Sequence, residues 1–187
     1  MSTMLVAYLC LVAAFAAERL LEVAIARRNL ASVRERGGFI AERRTTGDAV
    51  VVQVAWMVAC AAEAVLLHRP FVPAVAAPLL LLLAAAMALR YWSVVTLGDR
   101  WNLAVVVVPG EAMVTTGPYR WVRHPNYLAV LVEAVALPLV HGAWLTAALL
   151  GPAIWLVTGR RIRLEEAALA SHGDYERAFA GTRRLLP

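Results

Sequence analysis

The densest group of reactive side chains in this chain lies in residues 117–127, directly before a long apolar run. Arg123 and His124 stand next to each other there and are followed by Pro125. The proline restricts His124 to an extended backbone and suits the first turn of a helix. Because a helix N-terminus offers free N–H groups and positive potential, an anion is favoured there. The residues alone leave two interpretations open: a site for a carboxylate or phosphate, or an Arg-His pair that contacts lipid headgroups.

Two adjacent carboxylates, Glu165 and Glu166, follow a group of arginines near the C-terminus. Neighbouring residues on a helix point about 100° apart. One of the two can therefore reach a ligand while the other pairs with an arginine. Carboxylates suit an ammonium group or ribose hydroxyls. The alternative is a solvated helix face with ion pairs between residues four apart.

Glu133 lies about two turns into the apolar run that follows the motif. A carboxylate at such a depth costs about 2.5–3.5 kcal/mol on insertion scales, so it should face protein or a cavity. It is a candidate proton acceptor or substrate partner, or else a structural partner of Arg90 or Arg123. Structural pairing is the favoured interpretation for five other charged residues within apolar runs: Glu18, Arg19, Glu22, Glu63 and Arg90.

Four aromatic residues, Trp101, Tyr119, Trp121 and Tyr127, are crowded around the same segment. An interfacial aromatic belt is the ordinary interpretation, and stacking on an adenine or contact with a sulfonium is the alternative. The four histidines and two cysteines have no ligand spacing, so no metal site is expected.

Composition indicates an integral membrane protein. Of the 187 residues, 61% are hydrophobic, and mean hydropathy is +0.68. The apolar residues form five runs, at about 4–26, 48–67, 74–97, 127–140 and 143–158. A bilayer core needs roughly 20 residues of helix, so the first three are long enough and the last two form a short hairpin. We predict a single all-α membrane domain, with three transmembrane helices in 1–97. Residues 98–187 are the predicted catalytic region, in which the hairpin gives a total of about five transmembrane helices before a cytoplasmic C-terminal helix.

The arginines indicate how this bundle is oriented. Three connections are rich in arginine, whereas the opposite connections hold only Arg69. The positive-inside rule then places the N-terminus outside and the C-terminus in the cytoplasm, in a bacterial cytoplasmic membrane. The formal net charge of +5 fits this topology and anionic membrane lipids, so no nucleic acid partner is expected. The arginine-rich sets are Arg27, Arg28, Arg34, Arg36, Arg43 and Arg44; Arg100, Arg120 and Arg123; and Arg160, Arg161, Arg163, Arg177, Arg183 and Arg184.

The chain resembles the isoprenylcysteine carboxyl methyltransferase family and its phospholipid methyltransferase relatives in two places. The first is Gly117-Pro118-Tyr119-Arg120, continued by Arg123-His124-Pro125-Asn126-Tyr127 and then Glu133. The second is Arg163-Leu164-Glu165-Glu166, which is similar to the paired glutamates after that family's last span. Leu97-Gly98 and Trp101 are similar too, so the resemblance covers about half of the chain.

The resemblance implies an integral membrane methyltransferase that uses S-adenosylmethionine and releases S-adenosylhomocysteine. In that family the cofactor occupies a cytoplasmic pocket made by the last helices and the tail, and a lipophilic substrate enters sideways from the bilayer. By position, the expected cofactor-binding residues are Gly117, Tyr119, Val122, His124, Pro125, Tyr127, Glu165 and Glu166.

The implied reaction is methylation of a carboxyl, phenol or enol oxygen on a lipophilic acceptor. With its short length and five spans, the chain looks closer to small bacterial members, some of which O-methylate alkylpyrones and alkylresorcinols. Glu133 or His124 could assist deprotonation, and Arg123 could stabilise the oxyanion. Arg123 and Glu133 are therefore the predicted catalytic residues, on position alone.

Two other functions stay open from the sequence. One is a membrane reductase of the sterol-reductase type that uses a nicotinamide cofactor. The other is a non-enzymatic lipid-binding or transport protein, in which the motif at 117–127 only holds a headgroup. Binding of S-adenosylhomocysteine or of a reduced nicotinamide distinguishes these functions.

Overall fold

The computed structural model describes residues 2–42 and 44–185; Arg43, one of the predicted topology residues, lies outside them. Five long helices follow the five apolar runs, and a single helical turn follows them near the C-terminus. The predicted all-α membrane bundle is confirmed. The helices are α1 Thr3–Glu35, α2 Arg44–Leu66, α3 Pro73–Leu97, α4 Pro125–Val140, α5 Trp144–Ala170 and α6 Tyr175–Ala178.

In the part of the chain that the structure describes, three helices are long and apolar enough to cross a membrane: Thr3–Glu35, Arg44–Leu66 and Pro73–Arg100, the last including the turn after α3. Many of their large apolar side chains face outward, including Leu21, Leu81 and Val95. Lipid is the environment that accepts such surfaces. The 16 residues of α4 extend about 24 Å at 1.5 Å per residue, which agrees with the short fourth segment that the sequence predicts.

The fifth helix differs from the sequence prediction. The turn between α4 and α5 uses Gly142 at φ +69°, and α5 then runs for 27 residues without a break. Its apolar first half and its charged second half are therefore one helix rather than a span and a separate tail helix. Gly159 does not end it, because the arginine, leucine, glutamate and alanine residues that follow favour helix. The predicted interruption at residues 172–174 is where the chain turns into α6.

Two short strands, which the sequence analysis did not predict, pair at one end of the bundle. Strand β1 (Phe39–Glu42) follows α1, and strand β2 (Val105–Val107) lies in the connection between α3 and α4. They are antiparallel, with Phe39 opposite Val107. We call this end, where α1 and α3 end and α4 begins, the motif end.

Helix α4 lies in the middle of the bundle, packed against α3 and α5. The fully buried Trp56 of α2 donates its indole N–H to the carbonyl of Ala134 at 3.1 Å. Leu131 and Leu137 of α4 are buried in the same apolar core. This packing fixes the position of the residues at the first turn of α4, which carry the motif.

A charged cluster connects α1, α3 and α4 inside the bundle. Arg90 is bidentate to Glu22, with Nε–Oε1 and Nη2–Oε2 distances of 2.6 and 2.5 Å. Arg19 contacts Glu18 at 2.7 Å and also pairs with Glu133. The structure shows the structural pairing expected for these charged residues.

Candidate functional site

A cavity of about 170 Å³ opens at the motif end of the bundle. Its apolar lining includes Val33 near the end of α1, strand β2 and Leu97 at the end of α3. Its polar and aromatic lining includes Tyr119, Arg123, His124, Asn126, Tyr127, Glu165 and Tyr175.

The first turn of α4 is joined to the second half of α5 across the cavity. Tyr127 donates its hydroxyl to Glu165 Oε2 at 2.6 Å. Arg161, one turn before Glu165, lies 3.5 Å from the same hydroxyl and donates to the carbonyl of Leu103 at 2.5 Å. Because α5 is continuous, the helix that packs in the bundle also places Glu165 at the cavity wall.

His124 ends the loop before α4 and is almost fully buried. Its Nε2 lies 3.2 Å from Glu166 Oε1 and 3.3 Å from the Tyr175 hydroxyl. Tyr175 also donates to Glu166 at 3.3 Å. Burial raises the pKa of Tyr175, and the nearby Glu166 carboxylate raises it further, so the hydroxyl stays protonated and can donate.

Glu166 has a second partner in the C-terminal tail. Arg184 donates to both of its oxygens, at 3.1 and 2.6 Å. Burial alone would raise the pKa of Glu166, but the hydrogen bonds from Arg184, the hydrogen bond with His124 and the charge of the Arg184 guanidinium outweigh it and lower the pKa below its ordinary value. Glu166 is therefore held as a carboxylate that orients His124.

Arg123 holds the tail against the cavity. Its guanidinium donates to the carbonyls of Thr182 and Phe179, at 2.8 and 3.1 Å, and lies over the ring of Tyr175. The backbone N–H of Arg123 donates to the carbonyl of Arg183 at 2.8 Å. Arg123, which is predicted to stabilise an oxyanion, therefore uses two of its guanidinium donors to position α6 and the tail.

Glu133 lies in the charged cluster rather than among the residues that line the cavity. It is fully buried, and its ion-pair partner is Arg19 rather than Arg90 or Arg123, the two partners considered from the sequence. The structure gives Glu133 a pairing role, and its catalytic role stays a prediction.

The remaining predicted residues shape the site without lining the cavity. Gly117 has φ +57°, and a Cβ there would lie 2.6 Å from Thr96 Oγ1. Val122 pairs with Arg183 of the tail, and Pro125 is the first residue of α4.

The predicted aromatic residues lie in two different environments. Trp101 and Tyr119 line the cavity, whereas Trp121 is exposed beneath the guanidinium of Arg120.

Sequence reasoning gave no site role to Tyr175, Arg184, Arg161 or Asn126, although each helps to form the site; Asn126 was named only within the motif and the two arginines only for topology. Tyr175 and Arg184 come from a segment that folds back only after the turn at residues 172–174.

Within residues 2–42 and 44–185, no group of three or more His, Cys, Asp or Glu side chains is placed to hold a metal ion.

The fold and the cavity define an all-helical membrane protein with a polar site at one end of its bundle. The model of the isoprenylcysteine carboxyl methyltransferase family matches residues 76–171, which contain the motif, α4 and both glutamates. The chain belongs to this family, and methyltransferase is therefore its class of enzyme.

Two bacterial relatives are similar to this chain. An uncharacterized protein of Bacillus subtilis, YpbQ, is 30% identical over 165 residues, which cover 87% of this chain and 96% of the relative. An uncharacterized protein of Haemophilus influenzae is 29% identical over 92 residues, 49% of this chain and 54% of that protein. No solved structure gives a significant match.

Proposed function

We propose that this protein transfers a methyl group from S-adenosylmethionine to an oxygen of a lipophilic acceptor that enters from the bilayer. The observation that carries the proposal is the cavity at the motif end, where Glu165, His124 and several aromatic rings face one space. Family membership supplies the methyltransferase class. The nature of the cofactor and of the acceptor is inferred from the chemistry of the lining.

The lining suits a cation that also carries an aromatic base. Glu165 supplies a carboxylate for an ammonium group or for ribose hydroxyls, and the rings of Tyr119, Tyr127 and Tyr175 offer faces for a base or a sulfonium. S-adenosylmethionine supplies a methyl group that is activated as an electrophile on a sulfonium. The proposed cofactor-binding residues are those predicted by position: Gly117, Tyr119, Val122, His124, Pro125, Tyr127, Glu165 and Glu166.

Some of these residues are proposed to contact the cofactor, and the others to position the residues that do. Glu165, Tyr127 and His124 reach the cavity, whereas Glu166 orients His124 through their 3.2 Å contact. Gly117, Val122 and Pro125 set the backbone that carries them. Methyl transfer to oxygen needs close alignment of the two reactants and exclusion of water, and these are the tasks that we assign to the residues of the cavity.

The acceptor oxygen must lose its proton if it starts as a phenol or enol. His124 lies at the cavity and is the nearer candidate to receive that proton, while Glu133 is the second candidate, inside the bundle. Arg123 lines the cavity and is the proposed stabiliser of the resulting oxyanion. A carboxylate acceptor needs no such base. If a correctly folded Glu133→Gln variant keeps wild-type turnover, its role as the base is lost.

A groove below the cavity suits the hydrocarbon part of the acceptor. Its volume is about 330 Å³, and α3, α4, α5 and the tail contribute to it. Leu128 lines the groove and directly follows the cavity residue Tyr127 in the chain, so the first turn of α4 contributes one residue to each space. Every lining residue is apolar: Leu79, Leu82, Leu128, Leu131, Val132, Val135, Ala136, Trp155 and Leu185.

The orientation proposed for the protein puts the cavity in the cytoplasm, where a water-soluble cofactor is available. The motif end carries the arginine-rich connections, which the positive-inside rule assigns to the cytoplasmic side. Both relatives are bacterial, which supports a bacterial cytoplasmic membrane.

Ligand-induced thermal stabilisation of the detergent-solubilised protein tests the proposal. We expect S-adenosylhomocysteine to raise the melting temperature, reduced nicotinamide dinucleotide to have no effect, and both His124→Ala and Glu165→Ala to abolish the stabilisation. Stabilisation by the nicotinamide alone would favour the reductase alternative. No stabilisation by either at saturating concentration would favour a lipid-binding protein.

A further inference from the structure

Asn126 has a side-chain oxygen that is buried but has no hydrogen-bond partner. It is the second residue of α4 and lines the cavity at the motif end. Its Oδ1 is shielded from solvent and accepts no hydrogen bond from residues 2–42 or 44–185. Buried polar atoms are almost always paired, so this acceptor at the cavity lacks a partner that it would ordinarily have.

Two polar residues close to Asn126 in the chain, His124 and Tyr127, already have partners. The hydroxyl of Tyr127 is donated to Glu165, and His124 Nε2 is in contact with Glu166 and Tyr175. Neither of these two side chains is free to donate to Asn126 without losing its present contact, so we look for the donor in a bound molecule.

We propose that Asn126 Oδ1 accepts a hydrogen bond from a neutral N–H or O–H group of the nucleoside in the cavity. The inference rests on the proposed function. Glu165 is the stronger attraction for a charged ammonium, because it is a carboxylate at the same cavity, whereas the amide oxygen of Asn126 is uncharged. A nucleoside has two kinds of neutral donor that fit, the ribose hydroxyls and the amine of adenine.

Two near-isosteric variants distinguish the effect of losing the acceptor oxygen from the effect of changing the shape of the side chain. Asn126→Leu removes the oxygen, and Asn126→Asp keeps an oxygen acceptor at the same place. Dissociation constants are measured by calorimetry for S-adenosylhomocysteine, its 2′-deoxy and 3′-deoxy analogues, and the analogue with hypoxanthine in place of adenine. The melting temperature without ligand checks that each variant is folded.

We expect Asn126→Leu to weaken S-adenosylhomocysteine binding about tenfold and Asn126→Asp to retain binding. The analogue that lacks the group donating to Asn126 should bind wild type and Asn126→Leu equally. If that analogue is a deoxy compound, the donor is a ribose hydroxyl; if it is the hypoxanthine compound, the donor is the adenine amine.

Three results would overturn the inference. They are unchanged affinity for all four ligands in Asn126→Leu, an equal loss for all four, and loss of binding in Asn126→Asp with retention in Asn126→Leu. Failure of wild type to bind S-adenosylhomocysteine would instead overturn the proposed function, and this inference with it.

Discussion

Glu165 and Glu166 are adjacent on α5, but their carboxylates have different partners. Glu165 accepts the hydroxyl of Tyr127 at 2.6 Å at the cavity wall, whereas Glu166 accepts the guanidinium of Arg184 at 2.6 Å and contacts His124. The angle of about 100° between successive helical residues explains the separation. One glutamate is therefore placed to contact a ligand, and the other to hold the residues around it.

Replacing the two glutamates should have different effects. We expect Glu165→Gln to weaken S-adenosylhomocysteine binding about tenfold to a hundredfold, because a charged acceptor is lost, with little change in melting temperature. Glu166→Gln should lower the melting temperature, because Arg184 and His124 lose their charged partner. Calorimetry and thermal unfolding of both variants measure this. Equal loss of binding and of stability in both would show that the two carboxylates share one role.

Stability should depend on pH through Glu166. Its pKa in the folded protein is below the ordinary value of 4.5, so the unfolded state binds more protons in this range. The stabilisation is therefore present above about pH 4.5 and is lost as the pH falls through the folded pKa. We expect the difference in melting temperature between wild type and Glu166→Gln to be largest at neutral pH and to shrink below about pH 4.5. Exposed Glu176 supplies the control, Glu176→Gln, and a difference that stays constant with pH would contradict the prediction.

Gly117 should not tolerate a side chain. A Cβ would lie 2.6 Å from Thr96 Oγ1, and the residue has φ +57°, so Gly117→Ala combines overlap with backbone strain. We expect a loss of about 1–3 kcal/mol in the free energy of unfolding. Gly110→Ala is the matched control, because Gly110 has φ +79° with no atom within 4 Å and tests strain alone. Equal losses at both positions would exclude the overlap with Thr96.

The charged cluster should be sensitive to removal of one partner. Arg19→Met leaves the fully buried Glu133 without its guanidinium, and breaking a buried pair costs about 3–5 kcal/mol. Arg27→Met, on the same helix but exposed, should change the free energy of unfolding by less than about 0.5 kcal/mol. Unfolding in denaturant with both variants measures this, and equal stability of the two would show that the ion pairs of Arg19, including the pair with Glu133, contribute nothing.

The apolar groove should affect the choice of acceptor. Leu82 lines it, whereas its neighbour Leu81 does not and is 73% exposed. We expect Leu82→Trp to lower kcat/KM for long-chain acceptors about tenfold, with short-chain acceptors less affected, and Leu81→Trp to leave both unchanged. Turnover with acceptors of graded chain length tests this. The same chain-length profile in both variants would rule out the groove as the site of the hydrocarbon chain.

The sequence was informative wherever a local pattern determines structure. Apolar runs broken by arginine-rich connections located five helices, and Pro125 located the start of α4. The continuity of α5 was not predicted, because hydropathy ends near Thr158 whereas helical propensity continues to Ala170. The strands Phe39–Glu42 and Val105–Val107 were not predicted because their pairing joins distant parts of the chain.

In the candidate site, too, local patterns could be predicted from the sequence, whereas contacts between distant residues could not. Residue type and spacing identified His124, Tyr127 and Glu165, which do line one cavity. Their neighbours Tyr175 and Arg184 depend on the tail folding back onto the loop before α4, and neither residue belongs to a local pattern. The pairing of Glu133 with Arg19 likewise depends on how α1 packs against α4, which the apolar runs do not specify.

The most direct measurement of the central claim is transfer of label from methyl-labelled S-adenosylmethionine to a lipid extract by the purified protein. The structure predicts a labelled, solvent-extractable product with wild type and a large loss with Glu165→Ala and His124→Ala, each checked for folding. Mass analysis of that product would identify the oxygen acceptor. Absence of labelled lipid from wild type, together with no binding of S-adenosylhomocysteine, would contradict the proposed function.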